Sequence, residues 1–307
     1  MNKPKLRDFA ENKYSQFGED GIIKKVFEII GTQSKLCIEF GAWDGYHLSN
    51  TAQLWTNGWK AVLIEAEADR TETLKETVKQ FDCLALNYFV GFDHKKDSLE
   101  YILRKHNVSF DVDLISIDID GNDYYVFESL EKLRPRVVIC EFNPTIPYYL
   151  DVYAKPDNFF GASLASIIRV ANTKGYKLVA LTDVNAFFVL ESLFDAFSAY
   201  ETSVEKNVIT DHYNHIITNY SGEYLIEGPF VYGMRDQFSN NKLADSGQHR
   251  RPKWRSDLIL KSKTEETKSA NEPKPELLPA ERTNIKKRVK NSLKKLTSIF
   301  RGTRFFM

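Results

Sequence analysis

The chain has 307 residues, with 42 Lys and Arg against 42 Asp and Glu, so no net positive field directs it to nucleic acid. Hydrophobic residues make up 42% and aromatic residues 13%, enough for one large core or two modest ones. The three cysteines, Cys37, Cys83 and Cys140, sit in apolar runs without CxxC or Cys/His zinc spacing, which fits a reducing compartment.

The N-terminus shows no apolar secretory core. No run of about 18 apolar residues occurs, so no spanning helix is expected. In chain order, residues 20–30 (DGIIKKVFEII) place Ile22, Ile23, Val26, Phe27 and Ile30 on one helical face, with Gly31 as a stop. KLCIEF follows as a buried strand. A helix is predicted over 49–57, with Ser49, Asn50 or Thr51 to cap it. WKAVLIE is a second strand, 69–80 a polar helix, 82–90 strand-like, and 98–106 helical. Residues 113–118 form a fourth strand, YYVFESLEKL a helix, and 136–141 a fifth strand.

This alternation predicts βαβ units and a parallel sheet, and the wholly apolar AVLI and VVIC runs fit strands covered on both faces. After a helix over 163–174, KLVAL and AFFVL flank the turn-prone TDVN, an antiparallel hairpin added to the sheet. The expected organisation is a catalytic or binding domain over 1–236, a disordered linker over 237–280 with a short island at KWRSDLILK, and a basic amphipathic helix over 281–307. In that helix Ile285, Val289, Leu293, Leu296 and Phe300 form a stripe among lysines and arginines, the profile of a helix lying on an anionic membrane surface. It lacks interleaved aromatics for base stacking, which disfavours nucleic acid as its partner. The expected location is cytoplasmic, peripheral on the inner face of the membrane.

Open parallel sheets bind ligands beyond the carboxyl ends of their strands. The first strand runs into IEFGAWDGYHLSNT, which offers Glu39, Gly41, Ala42, Asp44 and Gly45 as cofactor-binding candidates. The loop lacks the G-x-G-x-x-G that would seat a pyrophosphate. Its acidity suits a cationic amine or sulfonium, and a plain strand–helix turn is the alternative. Glu65 ends the second strand, about twenty positions on, where an acidic residue holds ribose hydroxyls. Asp93 follows the third strand as a further cofactor-side candidate.

SIDIDGND packs Asp118, Asp120, Asn122 and Asp123 together. A calcium-binding EF-hand is excluded, because its glycine and terminal glutamate would fall elsewhere. CEFNP adds Glu141 and Asn143, so Asp118, Glu141 and Asn143 form a candidate set of oxygen ligands for magnesium. Alternatively, these side chains bind a cofactor amine, cap helices or stay solvated. Candidate bases are Asp118, Asp120 and His47, with His212 and His215 as a pair that is more often structural. The aromatic run over 144–161 is either a substrate loop or a cover for the sheet edge.

In order, EFGAxDG, LIE, IDIDGND, EFNP and NAFFV resemble class I S-adenosylmethionine-dependent methyltransferases, and more narrowly the FkbM-type branch, as does the upstream YSQFGEDGII. The resemblance spans 14–190 and implies a Rossmann-like doubly wound sheet. It further implies a loop of Glu39, Gly41 and Gly45 around the methionine part, Glu65 on the ribose, and Asp118 near the transfer site. It implies O-methylation of a saccharide or other small hydroxylated acceptor, tied to polysaccharide biosynthesis. Trp43 departs from the family pattern, standing where a glycine is usual. The competing expectations are a nicotinamide-dependent oxidoreductase and a non-catalytic membrane-surface adaptor. The sequence leaves the oligomeric state open.

Overall fold

The apolar runs become strands because the helical segments that flank them turn apolar faces onto them. In this computed structural model, which describes residues 3–218, 220, 224–227 and 258–260, they form one seven-stranded sheet. Its first five strands are β1 (Leu36–Phe40), β2 (Lys60–Glu65), β3 (Cys83–Asn87), β4 (Leu114–Ile117) and β5 (Val137–Glu141), all parallel. A three-residue β6 (Val152–Ala154), absent from the expected elements, precedes β7 (Tyr176–Leu181) and β8 (Asn185–Leu190). The order is β3-β2-β1-β4-β5-β8-β7, with β8 antiparallel to both neighbours, so the expected hairpin closes one edge.

Helices α1 (Glu19–Ile30), α2 (Ala52–Thr56), α3 (Ala68–Val78), α4 (Leu99–Lys105), α5 (Asp123–Ser129), α6 (Leu164–Thr173) and α7 (Val204–Asn207) supply the cover. Alternate residues of each strand face opposite layers. Ile38 and Phe40 pack with Leu99, Ile102, Phe127 and Ile167 on one face. Cys37 and Leu63 pack with Ile22, Val26, Trp55 and Leu74 on the other. Both faces are thus buried, as the unbroken apolar runs require. The cysteines are free; burial pushes the Cys37 and Cys140 thiols well up and the Cys83 thiol to about 12, so all three act as packing groups.

Beyond the sheet, β9 (His215–Thr218) pairs with β10 (Tyr224–Glu227), and β11 (Leu258–Leu260) pairs antiparallel with β6. Residues 258–260 fall inside the segment expected to be a disordered linker, at its KWRSDLILK island. One unit spans Met1–Lys261; the other, Ser262–Met307, which includes the expected basic helix, lies outside the described residues. Among the described residues no helix is long and apolar enough to cross a membrane.

Candidate active site

The register lines up the carboxyl ends of the central strands. Phe40 pairs with Ile64 and Ile117, Ile117 pairs with Cys140, and Glu141 pairs with Asn185. The connections diverge between β1 and β4, the switch point at which open sheets carry their ligand crevice. A cleft of about 510 Å³ opens there, within the roughly 300–1,000 Å³ of small-molecule sites. A second hollow of about 620 Å³ between α1 and α2, lined by Phe27, Gln53 and Trp59, holds none of the strand-end carboxylates.

At the β1–β2 end, the loop after Phe40 turns on Gly41, whose φ of +77° suits glycine, and a Cβ there would lie 2.2 Å from the Asp118 carbonyl oxygen. Glu39 is buried, and burial raises its pKa against the opposing pull of Ser49 and Thr51. Its Oε2 accepts from Ser49 Oγ and Thr51 Oγ1, both at 2.6 Å, and its Oε1 from Asn50 N at 2.8 Å. Ser49 Oγ, while donating to Glu39, also accepts from Ala52 N at 3.0 Å at the start of α2, whereas Thr51 makes no side-chain cap. Glu65, also buried, accepts from Trp43 N at 2.9 Å and Glu67 N at 2.8 Å while facing the cleft.

At the β4–β5 end, Asp118, Asp120 and Glu141 each place a carboxylate oxygen within 4.8 Å of the others. Burial, then the charges of Asp123 and Asp120, push the Asp118 carboxyl up to about 8. Burial and Asp118 push Glu141 well above the usual carboxylate range. The two carboxyls share a hydrogen bond, so Glu141 keeps its proton and donates to Asp118. Asp123 sits behind them, raised by burial to about 6; it accepts from Ile119 N and Gly121 N, both at 2.9 Å, and so folds the IDIDGND turn.

The structure brings Glu39, Gly41, Ala42, His47, Glu65, Asp118, Asp120 and Glu141 to one cleft, as expected. Asp44 and Gly45 belong to the same loop but do not line it. Asp44 Oδ1 accepts from Tyr46 N at 3.0 Å and His47 N at 2.8 Å, a local turn, and Gly45 backs onto Leu74 of α3. Asp93 is not at the cleft either. It is exposed, and its Oδ1 accepts from Lys95 N in the turn that leads to α4. Tyr88, Phe89 and Val90 take the place after β3.

Asn143 does not line the cleft. Its Oδ1 accepts from Thr145 N and Thr145 Oγ1, and its Nδ2 donates to the Phe160 carbonyl, so the side chain builds a loop. Asp120 takes its place in the carboxylate group. His212 is buried against Asp183, with 2.8 Å between Nε2 and Oδ2, and neither it nor His215 lines the cleft. The aromatic run beyond Pro144 does not line it, although Phe159 stands 90% exposed nearby in sequence.

Gln16, Arg70 and Asn185 also line the cleft without having been expected there. Gln16 belongs to the YSQFGEDGII stretch. There, buried Glu19 accepts from Thr182 Oγ1 at 2.8 Å and Asn185 Nδ2 at 3.1 Å, tying the N-terminal segment to the hairpin turn.

Residues 86–178 match the Methyltransferase FkbM domain. The match runs from β3 into β7 and includes Asp118, Asp120 and Glu141 but not the Glu39–Glu65 end. No curated protein matches the chain. Solved structures similar to it include the O-methyltransferase from Bacillus cereus in complex with SAH, at 19% identity over 55% of this chain and 78% of that one, TM-score 0.37. Another is an S-adenosylmethionine-dependent methyltransferase from Clostridium acetobutylicum, at 9% identity over 59% and 93%, TM-score 0.37. A third is a SAM-dependent methyltransferase from Aquifex aeolicus, at 11% identity over 60% and 94%, TM-score 0.36. The match covers under a third of the chain; over that segment the protein is similar to the Methyltransferase FkbM domain, in keeping with the methyltransferase motifs of its sequence.

Proposed function

We propose that the chain is an FkbM-type methyltransferase that holds S-adenosylmethionine along the cleft, ribose toward Glu65, and methylates a hydroxyl of a small acceptor placed at Asp118 and Glu141. The observation that carries the reading is the division of the cleft into two carboxylate ends. The donor set fits the cofactor. A lining that includes Glu39, Glu65, Asp118, Asp120 and Glu141 suits an amine and a sulfonium and would repel a pyrophosphate, which disfavours the oxidoreductase alternative.

When bound, the cofactor supplies a methyl group already activated on sulfur. What remains for the chain is alignment, exclusion of water and handling of one proton. Glu65, its rotamer fixed by Trp43 N and Glu67 N, presents its remaining lone pairs to a ribose diol. The loop from Gly41 to His47 runs along the methionine part. Asp118 takes the acceptor's hydroxyl proton; its carboxyl at about 8 is matched to that task near neutral pH, and Glu141 donates to it and holds it in place. Asp120 and His47 border the same space. A magnesium ion would find its oxygen ligands in Asp118, Asp120 and Glu141, and its charge would lower the pKa of a coordinated hydroxyl.

The saccharide class of acceptor, and a link to polysaccharide biosynthesis, follow from the family resemblance. A peripheral place on the inner face of the membrane follows from the stripe of the 281–307 segment. Calorimetric titration with S-adenosylhomocysteine tests the reading. One-to-one binding is expected, and no heat with either that product or S-adenosylmethionine overturns it.

A further inference from the structure

Trp43 is held in a costly conformation. Its φ of +48° lies in the left-handed region, uncommon for any residue with a side chain and an outlier for a bulky one. Strain of this kind persists where the surroundings impose it, and it gathers at binding sites. Two contacts impose it here. The Trp43 backbone N–H donates to Glu65 Oε2 at 2.9 Å. The indole carries the Arg70 guanidinium 3.5 Å from its ring centroid.

The indole is 43% exposed, a large apolar surface left at the mouth of the cleft. Arg70 is anchored in turn, its Nε 3.1 Å from Glu67 Oε2. Trp43 comes from the loop after β1 and Arg70 from α3, which follows β2, so the stack bridges the two connections that bound the Glu65 end. At the opposite end of the cleft Asp118, Asp120 and Glu141 face one another.

We infer that the Trp43–Arg70 stack is a clamp over the Glu65 end that retains the nucleoside part of the cofactor and slows its release. The inference rests on the reading that S-adenosylmethionine occupies the cleft. Planarity matters: a guanidinium stacks on an aromatic face, whereas an ammonium does not lie flat on it. The residue at position 43 thus has two separable jobs. Its N–H orients Glu65, which any residue except proline can do, and its ring seats Arg70, which only an aromatic residue can do.

The test is a dilution-chase measurement of the release of tritiated S-adenosylhomocysteine from the full chain and from Trp43→Gly, Arg70→Ala, Arg70→Lys and the Trp43→Gly/Arg70→Ala double variant. A partly desolvated cation–π contact sets the scale: each of Trp43→Gly and Arg70→Ala is expected to speed release about 2- to 30-fold, with association little changed. The double variant should release no faster than the faster single one, because both break the same contact. Arg70→Lys should fall between Arg70→Ala and the unaltered chain. Thermal midpoints separate the effect from misfolding, since Trp43→Gly relieves the left-handed strain and should melt no lower than the unaltered chain. Unchanged release in both single variants of a chain that binds the ligand overturns the clamp and leaves the cofactor site standing. Additive effects in the double variant overturn it as a single unit. A chain that does not bind the ligand at all overturns the cofactor reading, and the clamp with it.

Discussion

At the β1–β2 end of the cleft, both oxygens of Glu39 and of Glu65 already accept hydrogen bonds from the loops around them. At the β4–β5 end, Asp118, Asp120 and Glu141 crowd within 4.8 Å, and two of the three are pushed toward their neutral forms. Buried carboxylates therefore serve two purposes in one sheet. Where backbone N–H and hydroxyl donors surround them, their rotamers are held and they present a preformed surface to the cleft. Where carboxylates face one another, desolvation and mutual repulsion favour a shared proton, and the group is poised to exchange it.

Substitutions at the two ends should fail in different ways. Asp118→Asn removes the proposed proton acceptor, and methyl transfer should fall about 10²- to 10⁴-fold. S-adenosylhomocysteine affinity by calorimetry should change little in the same variant. Glu65→Ala should do the converse and weaken that affinity about 10- to 150-fold, the scale of hydrogen bonds to a charged group. Parallel losses of affinity in both variants would erase the distinction between the ends.

The amino edge of the sheet is a control. Fully buried Asp113 accepts from Gln33 N, Ser34 N and Lys35 N and from Arg136 Nη1 at 2.9 Å. Arg136→Ala should cost about 1.5–3 kcal/mol in denaturant unfolding, with ligand affinity unchanged.

The crowded end should also mark the stability profile. Asp118 holds its proton up to about pH 8 when folded, against an ordinary value of 3.8, so the folded state binds more protons between those values. Stability contributed by this group is full below the lower value and is lost as pH rises through the higher one. The thermal midpoint should decline from about pH 4 to about pH 8, and Asp118→Asn should flatten the decline. The smallest effect is expected at Asn143→Ala: a loosened loop, about 1 kcal/mol or less, and no change in ligand affinity.

Much of this was legible because strand ends are legible. Glu65 and Glu141 end apolar runs, Asp118 directly follows one, and parallel pairing brings such ends together. The hairpin and the glycine loop announce themselves through TDVN and the paired glycines. What escaped depends on how far the chain runs before it turns. Strand β3 stops at Asn87, so Tyr88–Val90 reach the cleft while Asp93 has already passed it. Asn143 and Asp120 both follow a strand, but only the fold shows that Thr145 takes the amide oxygen of one and leaves the other facing Asp118. Arg70 lies on a polar helix where one more cation carries no signal, and Gln16 reaches the site through the distant pairing of Glu19 with Asn185.

The proposed place of the cofactor is between the two carboxylate ends and not in the hollow between α1 and α2. Hydrogen–deuterium exchange of the full chain with and without S-adenosylhomocysteine tests it directly. Protection is predicted over residues 41–47 and 65–70, with little change over 24–35, which border the hollow. Protection confined to residues 24–35, with 41–47 and 65–70 unaltered, would contradict it.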